Sequence, residues 1–496
     1  RYYPALYQLW RQLYGIRLYY ARLVNGYGQK GVAMGDKTIK KQILHCSLFL
    51  LGCFGLLFCY LLYIDFIQGP ELNANPLNRR GAALDMVRGS ILDVHGEKLA
   101  YSDAPGQRSY PYGAAMAPVT GYVGETLGSA GLESTLGDEL SGQSRQLRGM
   151  GPIGQLLQAD RGNDIKLTVD ARLQQLAYDA LGEYRGAVVV LDANTGAVLA
   201  LVSKPAVDPS VVEAQWSELS NRQDSPLLNR AAQGLYPPGS TIKAMMADAA
   251  LDEKVTDLNE TFNCTGKLQI GNEYIEESHG AVHGKVNLKE ALTHSCNFTF
   301  GTLAMRMGSS GLQDAFQRFG FADTFQGEIQ ETASHLPDFG KLEQGDIAQL
   351  GLGQSSLLVT PLRMAMLAQA FANGGKMMVP YMVDAVISPQ GLCIRKGEPA
   401  QWREVTTSQR AALINSYMEN VVENGTGGAA AVSGIKVRGK TGTAENSAGA
   451  DHGWFIGSAE LPGRTIAFGI IVENSGGGGS TAAPIARRII QDLMNR

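Results

Sequence analysis

One stretch of the chain is apolar along its whole length and predicts a membrane crossing. The run from Leu44 to Ile64 contains no Asp, Glu, Lys or Arg, and only His45 and Ser47 interrupt it. It can cross about 30 Å of hydrocarbon, whereas the apolar region of a cleaved signal peptide is shorter and precedes small residues. We therefore predict a retained transmembrane anchor over residues 42–64, with a cleaved signal peptide as the alternative.

Periodic apolar positions predict an α/β pattern beyond residue 166. Apolar residues at helical spacing follow Asp170, a residue type that often caps helices. Two apolar and β-branched runs then flank Asn194-Thr195-Gly196 and predict a hairpin. The C-terminal pattern predicts a strand at 465–473, a turn at the glycines 476–479 and a helix at 482–494. Because both ends contribute similar elements, we expect one domain.

The segment between these regions, residues 65–165, is rich in Gly and Pro and shows weak helical periodicity. Residues 88–100 predict a strand, a turn at His95-Gly96 and a second strand. A short helix is expected near residues 134–140. We therefore expect a small, irregular, mostly β domain with no catalytic set of its own.

Charge differs on the two sides of the apolar run. Residues 1–41 carry +7 and the run carries none, which leaves −11 for residues 65–496 of a chain whose net charge is −4. The positive-inside rule places the N-terminus in the cytoplasm and residues 65–496 outside. An acidic outer part cannot neutralise phosphates, so we expect no nucleic-acid partner.

Two interpretations of residues 1–33 stay open. Apolar residues at helical spacing, with Arg11 and Arg22 between them, are compatible with an amphipathic helix at the membrane surface. Alternatively, Met34 is the natural start and residues 1–33 lie upstream of it.

The first candidate for chemistry is a serine followed by a lysine one helical turn later. A loop is predicted at Pro237-Pro238-Gly239 and a helix over residues 241–251, so Ser240 lies at a helix N-terminus with Lys243 on the same face. A serine hydroxyl needs a base within hydrogen-bond reach, and a lysine whose pKa is lowered by burial can be that base. This spacing alone is common and identifies no active site.

Two further motifs offer polar groups. Ser295-Cys296-Asn297 supplies a hydroxyl and an amide two residues apart. The run Lys440-Thr441-Gly442-Thr443 is strand-like, and strand alternation would put its two threonines on one face and Lys440 with Gly442 on the other. Taken singly, neither motif is specific.

The order and spacing of the three motifs are specific. Ser-x-x-Lys at 240, Ser-x-Asn at 295 and Lys-Thr-Gly at 440 follow one another as in penicillin-binding proteins and serine β-lactamases. From about residue 40 to its end the chain resembles a class B penicillin-binding protein. Further matching segments are Arg88-Gly89, Gly131-Leu132-Glu133, Leu352-Gly353-Gln354, Val359-Thr360-Pro361, Ala372-Asn373-Gly374-Gly375 and Trp454-Phe455-Ile456-Gly457.

The resemblance implies an α/β (α+β) fold of the serine transpeptidase and β-lactamase type, with an antiparallel sheet flanked by helices. It also implies four segments along the chain. These are a basic cytoplasmic segment over 1–41, the anchor over 42–64, a dimerisation or pedestal domain over 65–165 and a penicillin-binding transpeptidase domain over 166–496.

The resemblance further implies a role for each site residue. Ser240 would attack the D-Ala-D-Ala carbonyl of a peptidoglycan stem peptide, with Lys243 as general base. Ser295 would pass a proton to the leaving group, Asn297 would hold the substrate amide, and Lys440 would hydrogen-bond Ser295. The residues implied in substrate binding are Thr441, Gly442 and Thr443. Backbone N–H groups of Ser240 and Thr443 would form the oxyanion hole.

The implied partners are glycan strands derived from lipid II, β-lactams, the membrane and a polytopic lipid II polymerase, and no cofactor is implied. A non-catalytic β-lactam sensor or scaffold and a membrane-anchored β-lactamase are the alternatives. A sensor would carry further membrane spans, and a class A β-lactamase would carry a Glu-x-x-Leu-Asn motif that this sequence lacks.

Neither the cysteines nor the histidines show metal-ligand spacing, so we expect no metal. Cys264, Cys296 and Cys393 lie far apart and form no Cys-x-x-Cys pair. The histidines with the closest spacing are His279, His283 and His294. A disulfide between Cys264 and Cys393 stays open for an extracytoplasmic domain.

Overall fold

The computed structural model describes residues 36–63, 87–124, 126–142, 161–446 and 449–495. Two units divide the chain, one ending at Leu72 and the other starting at Asn73, and each is described by itself. Both interpretations of residues 1–33 lie outside the described residues.

The first unit contains helix α1, Asp36–Tyr63. Its part Ile43–Tyr63 has a mean hydropathy of 2.1 and is long and apolar enough to cross a membrane. Its large apolar side chains, such as Phe49 and Leu56, are exposed. An apolar helix without a polar face needs an apolar surrounding, which lipid provides.

The second unit contains all other described α-helices and strands. In its first part these are β1 (Ile91–Leu92), β2 (Lys98–Ala100), α2 (Gly113–Thr120), β3 (Val123–Gly124), β4 (Gly128–Ser129), α3 (Gly131–Thr135), α4 (Gly137–Leu140), β5 (Asp164–Leu167), α5 (Ala171–Ala180), β6 (Gly186–Asp192), β7 (Val198–Lys204) and α6 (Trp216–Leu219). The middle part has α7 (Lys243–Asp252), β8 (Thr261–Cys264), β9 (Lys267–Ile270), β10 (Glu273–Glu276), β11 (Gly284–Asn287), α8 (Leu288–His294), α9 (Asn297–Arg318), α10 (Gln344–Gly351) and α11 (Pro361–Ala372). The last part has β12 (Lys376–Met378), β13 (Val383–Ile387), β14 (Cys393–Lys396), β15 (Gln401–Glu404), α12 (Ser408–Asn424), β16 (Lys436–Ala444), β17 (His452–Leu461), β18 (Arg464–Val472) and α13 (Gly478–Met494).

A five-stranded antiparallel sheet in the order β16-β17-β18-β6-β7 forms the centre of this unit. Side chains alternate between its faces, so Val188 and Val190 pack in one core while Val189 and Leu191 pack in another. Helices α5 and α13 cover the first face, and α11 covers the second. The predicted antiparallel sheet flanked by helices is therefore confirmed.

Local signals in the sequence position the elements around this sheet. The Asp170 carboxylate accepts hydrogen bonds from the N–H groups of Arg172 and Leu173, and thereby caps α5 as predicted. The predicted hairpin is formed by β6 and β7. The approach of α11 to the sheet requires Gly469, since a Cβ there would lie 2.6 Å from the Pro361 carbonyl oxygen.

A second five-stranded sheet, in the order β14-β13-β5-β1-β2, contains the predicted hairpin of residues 88–100. Strand β1 runs parallel to β5 and antiparallel to β2. Strand β5 lies across the expected domain boundary at residue 165, and β13 and β14 come from much later in the chain. Strands β13 and β14, which follow the β6–β7 hairpin of the central sheet in the chain, therefore complete the sheet of the small domain.

Two expectations differ from the structure. Helix α13 begins at Gly478 rather than at residue 482, so two of the glycines predicted as a turn are helical. The helix can begin there because Gly478 has no side chain. A Cβ at this position would lie 2.0 Å from the Trp454 carbonyl oxygen. Cys264 is a buried free thiol and Cys393 an exposed one on β14, so the disulfide left open between them does not form.

Candidate active site

Ser240 lies on a 3-10 turn, Gly239–Ile242, that leads directly into α7. Gly239 has φ +53° and its N–H donates to the Gly353 carbonyl oxygen at 3.0 Å. Gly353 has φ +75°, and a Cβ there would lie 2.1 Å from the Gly239 carbonyl oxygen. Two glycines in the left-handed region thus let two backbone segments meet behind the nucleophile candidate.

The buried indole of Trp454 fixes the approach to this turn from the other side. Its Nε1–H donates to the Pro237 carbonyl oxygen at 2.9 Å. The Thr241 hydroxyl donates to the Pro238 carbonyl oxygen at 2.6 Å. These bonds hold the prolines of the predicted loop and leave Ser240 at the surface of a cleft.

Lys243 is fully buried beneath Ser240. Its Nζ donates at 2.7 Å to the Ser295 carbonyl oxygen, at 2.7 Å to Asn297 Oδ1 and at 3.4 Å to Ser295 Oγ. Burial lowers the pKa of Lys243 to about 8, and the nearby Glu277 carboxylate opposes that shift. A lysine in this state can accept a proton near neutral pH.

Lys440 is the second buried lysine of the site. It lies on β16, and its Nζ donates to Ser295 Oγ at 2.9 Å and to the Thr441 carbonyl oxygen at 2.9 Å. Burial, followed by the Lys243 charge, holds the pKa of Lys440 well below its usual range. The Ser295 hydroxyl therefore lies between two amines, and a positive charge on Lys243 disfavours protonation of Lys440.

The short loop between α8 and α9 presents Ser295 and Asn297. Ser295 takes a left-handed conformation, φ 59° and ψ 40°, and so separates the two helices. Asn297 is the first residue of α9, and its Nδ2 donates to the Glu276 carbonyl oxygen at 2.9 Å while its Oδ1 accepts from Lys243. Both ends of the Asn297 amide are therefore oriented before any substrate binds.

Alternation along β16 places the two threonines in the cleft, as expected from the sequence. Thr441 and Thr443 line it together with Ser240, Ser295 and Asn297. The Thr441 hydroxyl shares a 2.6 Å hydrogen bond with that of Thr426, from the loop before β16. Hydroxyl groups on an edge strand can bind a substrate carboxylate.

Gly442, predicted to bind substrate, faces away from the cleft. A Cβ there would lie 2.9 Å from Thr241 Cγ2 and 3.0 Å from Trp454 Cβ. Its lack of a side chain instead lets β16 lie against the turn that carries Ser240. All other site residues predicted from the sequence line this cleft or lie directly beneath it.

Two residues of the site were not found from the sequence. Glu277 accepts the N–H groups of Asn297 and Phe298 at 2.9 and 2.7 Å, so a buried carboxylate caps α9. These bonds, opposed by burial, hold the pKa of Glu277 below its usual range. Thr426 is the other residue, and in the sequence only the run of glycines around it marks its position.

The chain is similar to known protein families and to individual relatives. Residues 186–491 match the penicillin binding protein transpeptidase domain, and residues 88–159 match the penicillin binding protein A dimerisation domain. The chain is 34% identical over 467 residues to the peptidoglycan D,D-transpeptidase PbpA of Mycobacterium tuberculosis, covering 85% of this chain and 92% of PbpA. It is 31% identical to the peptidoglycan D,D-transpeptidase MrdA of Haemophilus influenzae, covering 79% of this chain and 70% of MrdA.

Solved structures show the same similarity. The penicillin G acyl-enzyme of penicillin-binding protein A from M. tuberculosis has a TM-score of 0.74 and 30% identity, covering 82% of this chain and 100% of that one. The D,D-transpeptidase domain of a peptidoglycan glycosyltransferase from Eggerthella lenta has a TM-score of 0.75 and 31% identity, covering 83% of this chain and 99% of that one.

Proposed function

The chain belongs to the penicillin-binding protein transpeptidases of the class B type and is a peptidoglycan D,D-transpeptidase of cell-wall synthesis, and we propose that Ser240 is its nucleophile. The family assignment favours cross-linking over the two alternatives, a sensor and a β-lactamase. The observation that carries the residue assignment is that two buried lysines both donate to Ser295 in the cleft that Ser240 lines.

In the acylation step, Ser240 Oγ attacks the carbonyl carbon between the two D-Ala residues of a stem peptide. The hydroxyl proton passes to the neutral amine of Lys243, which a pKa of about 8 makes available. The C–O bond forms as the carbonyl electrons move to oxygen. Backbone N–H groups of Ser240 and Thr443 then stabilise that oxyanion, an interaction worth ~2.7–4 kcal/mol per donor.

Collapse of this intermediate breaks the C–N bond and releases D-Ala. The leaving nitrogen takes its proton from the Ser295 hydroxyl, which regains one from the lysines that it contacts. In the second half, the amine of another stem peptide attacks the acyl-enzyme and gives its proton to Lys243. The new peptide bond forms as the Ser240 ester bond breaks, and Lys243 returns the proton to the Ser240 oxygen.

Substrate binding relies on the free edge of β16. This strand pairs only with β17 in the described sheet, so its other edge can receive an extended peptide by β-addition. Thr441 and Thr443 would bind the terminal carboxylate, and the second Nδ2 proton of Asn297 would bind a substrate carbonyl. Lys440 beneath the strand would hold the Ser295 hydroxyl through its 2.9 Å hydrogen bond.

We also propose that α1 anchors the enzyme in the cell membrane with its N-terminus inside and the catalytic unit outside. The basic residues before the apolar part of α1, Ile43–Tyr63, support this orientation. Growing glycan strands then reach the cleft from outside the membrane. A polytopic polymerase of lipid II is the partner that would supply these strands.

The test of the nucleophile is covalent labelling with a fluorescent penicillin. We expect the wild-type chain to be labelled and Ser240→Ala to lose the label while keeping the Tm of the wild type. Ser210→Ala, an exposed serine after β7, is the matched control and should be labelled normally. A label that survives in Ser240→Ala would refute the assignment.

A further inference from the structure

The hairpin of β9 and β10 borders the cleft. Tyr274, Ile275 and Glu276 of β10 line the cleft together with Ser240. Among the described strands, β10 pairs only with β9, so its other edge is open. We propose that this edge binds the stem peptide of the acyl acceptor, whose amine attacks the acyl-enzyme. The inference rests on the acyl-enzyme proposed at Ser240.

Two hydrogen bonds show how the main chain of β10 is oriented. In an antiparallel pair, residues alternately direct their N–H and C=O groups to the partner strand and away from it. The Glu276 carbonyl oxygen accepts from Asn297 Nδ2 at 2.9 Å, outside the hairpin. The N–H of the next residue, Glu277, donates at 2.9 Å to the carbonyl oxygen of Gly266, on the β9 side. Glu276 therefore faces the open edge, and so does Tyr274, two residues earlier.

The side chains of β10 alternate as well and leave an aromatic ring exposed. Ile275 packs on the core, while Tyr274 is 53% exposed. Lys267, on β9, places its Nζ 4.3 Å from the centroid of the Tyr274 ring and forms an exposed 2.8 Å ion pair with Glu276. An exposed ring beside open main-chain groups suits β-addition of a peptide, because main-chain bonds give affinity and side-chain contacts give specificity.

The position of this edge suits the amine that takes the acyl group. Asn297 links Glu276 to Lys243, because its Oδ1 accepts from the Lys243 amine at 2.7 Å. Lys243 is the base proposed to take the proton of the attacking amine. Tyr274 lies two strand residues, about 7 Å, from Glu276. A peptide whose main chain is held on β10 can therefore reach the Ser240 ester with a side chain that ends in an amine.

Charge on the cleft surface favours a ligand that carries an ammonium group. Glu276, Glu445 and Asp451 bring carboxylates to the cleft, and none of its described lining residues is Lys or Arg. Such a surface raises the local concentration of cations. The donor differs, because its terminal carboxylate would be bound by Thr441 and Thr443. The cleft thus has two strand edges, β16 for the donor and β10 for the acceptor.

The test separates acylation from transfer in the full-length chain in detergent. A stem-peptide analogue ending in D-Ala-D-Ala is the donor, an analogue with a free side-chain amine is the acceptor, and mass spectrometry measures cross-linked and hydrolysed product. We expect Tyr274→Ala to lower the ratio of cross-linked to hydrolysed product about three- to tenfold. Tyr274→Pro also removes the outward N–H and should lower the ratio further. Penicillin should label both variants at the wild-type rate.

Two matched controls make the result specific to the β10 edge. Tyr184→Ala removes a tyrosine that is 51% exposed between α5 and β6. Gln269→Pro places a proline opposite Tyr274 in the same hairpin, where the lost N–H belongs to the other edge. Both should keep the wild-type ratio. An unchanged ratio in Tyr274→Ala and Tyr274→Pro, or an equal loss in Gln269→Pro, would overturn the proposal.

A second measurement depends neither on turnover nor on proline variants. Calorimetric titration of the penicillin-acylated chain with the acceptor analogue gives its Kd, which Tyr274→Ala should raise about three- to tenfold and Tyr184→Ala should leave unchanged. No binding to the acylated wild type, or the same Kd in Tyr274→Ala, would refute the acceptor site. Slower acylation of Tyr274→Ala by the donor analogue would also refute it and assign the edge to the donor. Failure of this site leaves penicillin labelling of Ser240 intact, whereas failure of the nucleophile assignment appears as a label on Ser240→Ala.

Discussion

Among single residues, Lys243 determines how the reaction responds to pH. Only its neutral amine can accept the Ser240 proton, and at a pKa of about 8 roughly one chain in ten carries that form at pH 7. An ordinary lysine with a pKa of 10.5 would give about one in three thousand. Burial lowers this pKa, and the titratable neighbours that raise it against burial are Glu277 and Cys296.

We therefore predict that the rate of Ser240 acylation by penicillin rises with pH up to about 8 and then levels off. Below that value the rate should fall about tenfold per pH unit, because the base is protonated. Stopped-flow labelling across the stability range of the protein measures this profile. Lys243→Ala should slow acylation by about 10²–10⁴-fold and abolish the profile. A rate that does not change between pH 6 and pH 8 would exclude Lys243 as the base.

At the scale of elements, the turn that carries Ser240 depends on close backbone packing against Gly353, the second residue after α10. Gly353→Ala would add a Cβ 2.1 Å from the Gly239 carbonyl oxygen at φ +75°. We expect a loss of about 1–3 kcal/mol in the free energy of unfolding and at least about a tenfold slower acylation, because the turn must move. Thermal unfolding and penicillin labelling measure the two effects.

Gly391→Ala is the matched control for that prediction. Gly391 has φ +83° in the turn between β13 and β14, but nothing lies within 4 Å of a Cβ there. It should lose stability through its backbone conformation alone and keep the acylation rate. Equal acylation rates in the two variants would show that the contact behind Ser240 has no catalytic effect.

The elements also explain what could be predicted from the sequence. The β6–β7 hairpin, the Asp170 cap and the catalytic motifs depend on residues close together in sequence, and their patterns were visible there. Glu277 caps α9 from 20 residues away, and Thr426 contacts Thr441 from the loop before β16. Only the folded arrangement brings these groups to the cleft, so no local spacing could indicate them.

For the whole molecule, function depends on the side of the membrane on which the catalytic unit lies. Stem peptides are cross-linked outside the membrane, and the basic segment before the apolar part of α1 favours that orientation. The chain contains its own reporter for this question. Cys393 is an exposed thiol on β14, whereas Cys264 and Cys296 are buried and Cys46, Cys53 and Cys59 lie within the apolar part of α1.

We predict that a membrane-impermeant maleimide labels the chain in intact protoplasts and that Cys393→Ser removes that label. The reagent is polar and cannot enter hydrocarbon, so the cysteines of α1 should stay unlabelled. Protoplasts that express Cys46→Ser are the control and should be labelled as strongly as the wild type. Labelling that appears only after the membrane is permeabilised would place Cys393 inside the cell. The cleft would then lie on the wrong side for its substrate, because β14 and the site belong to the same compact unit from Asn73 to Arg496.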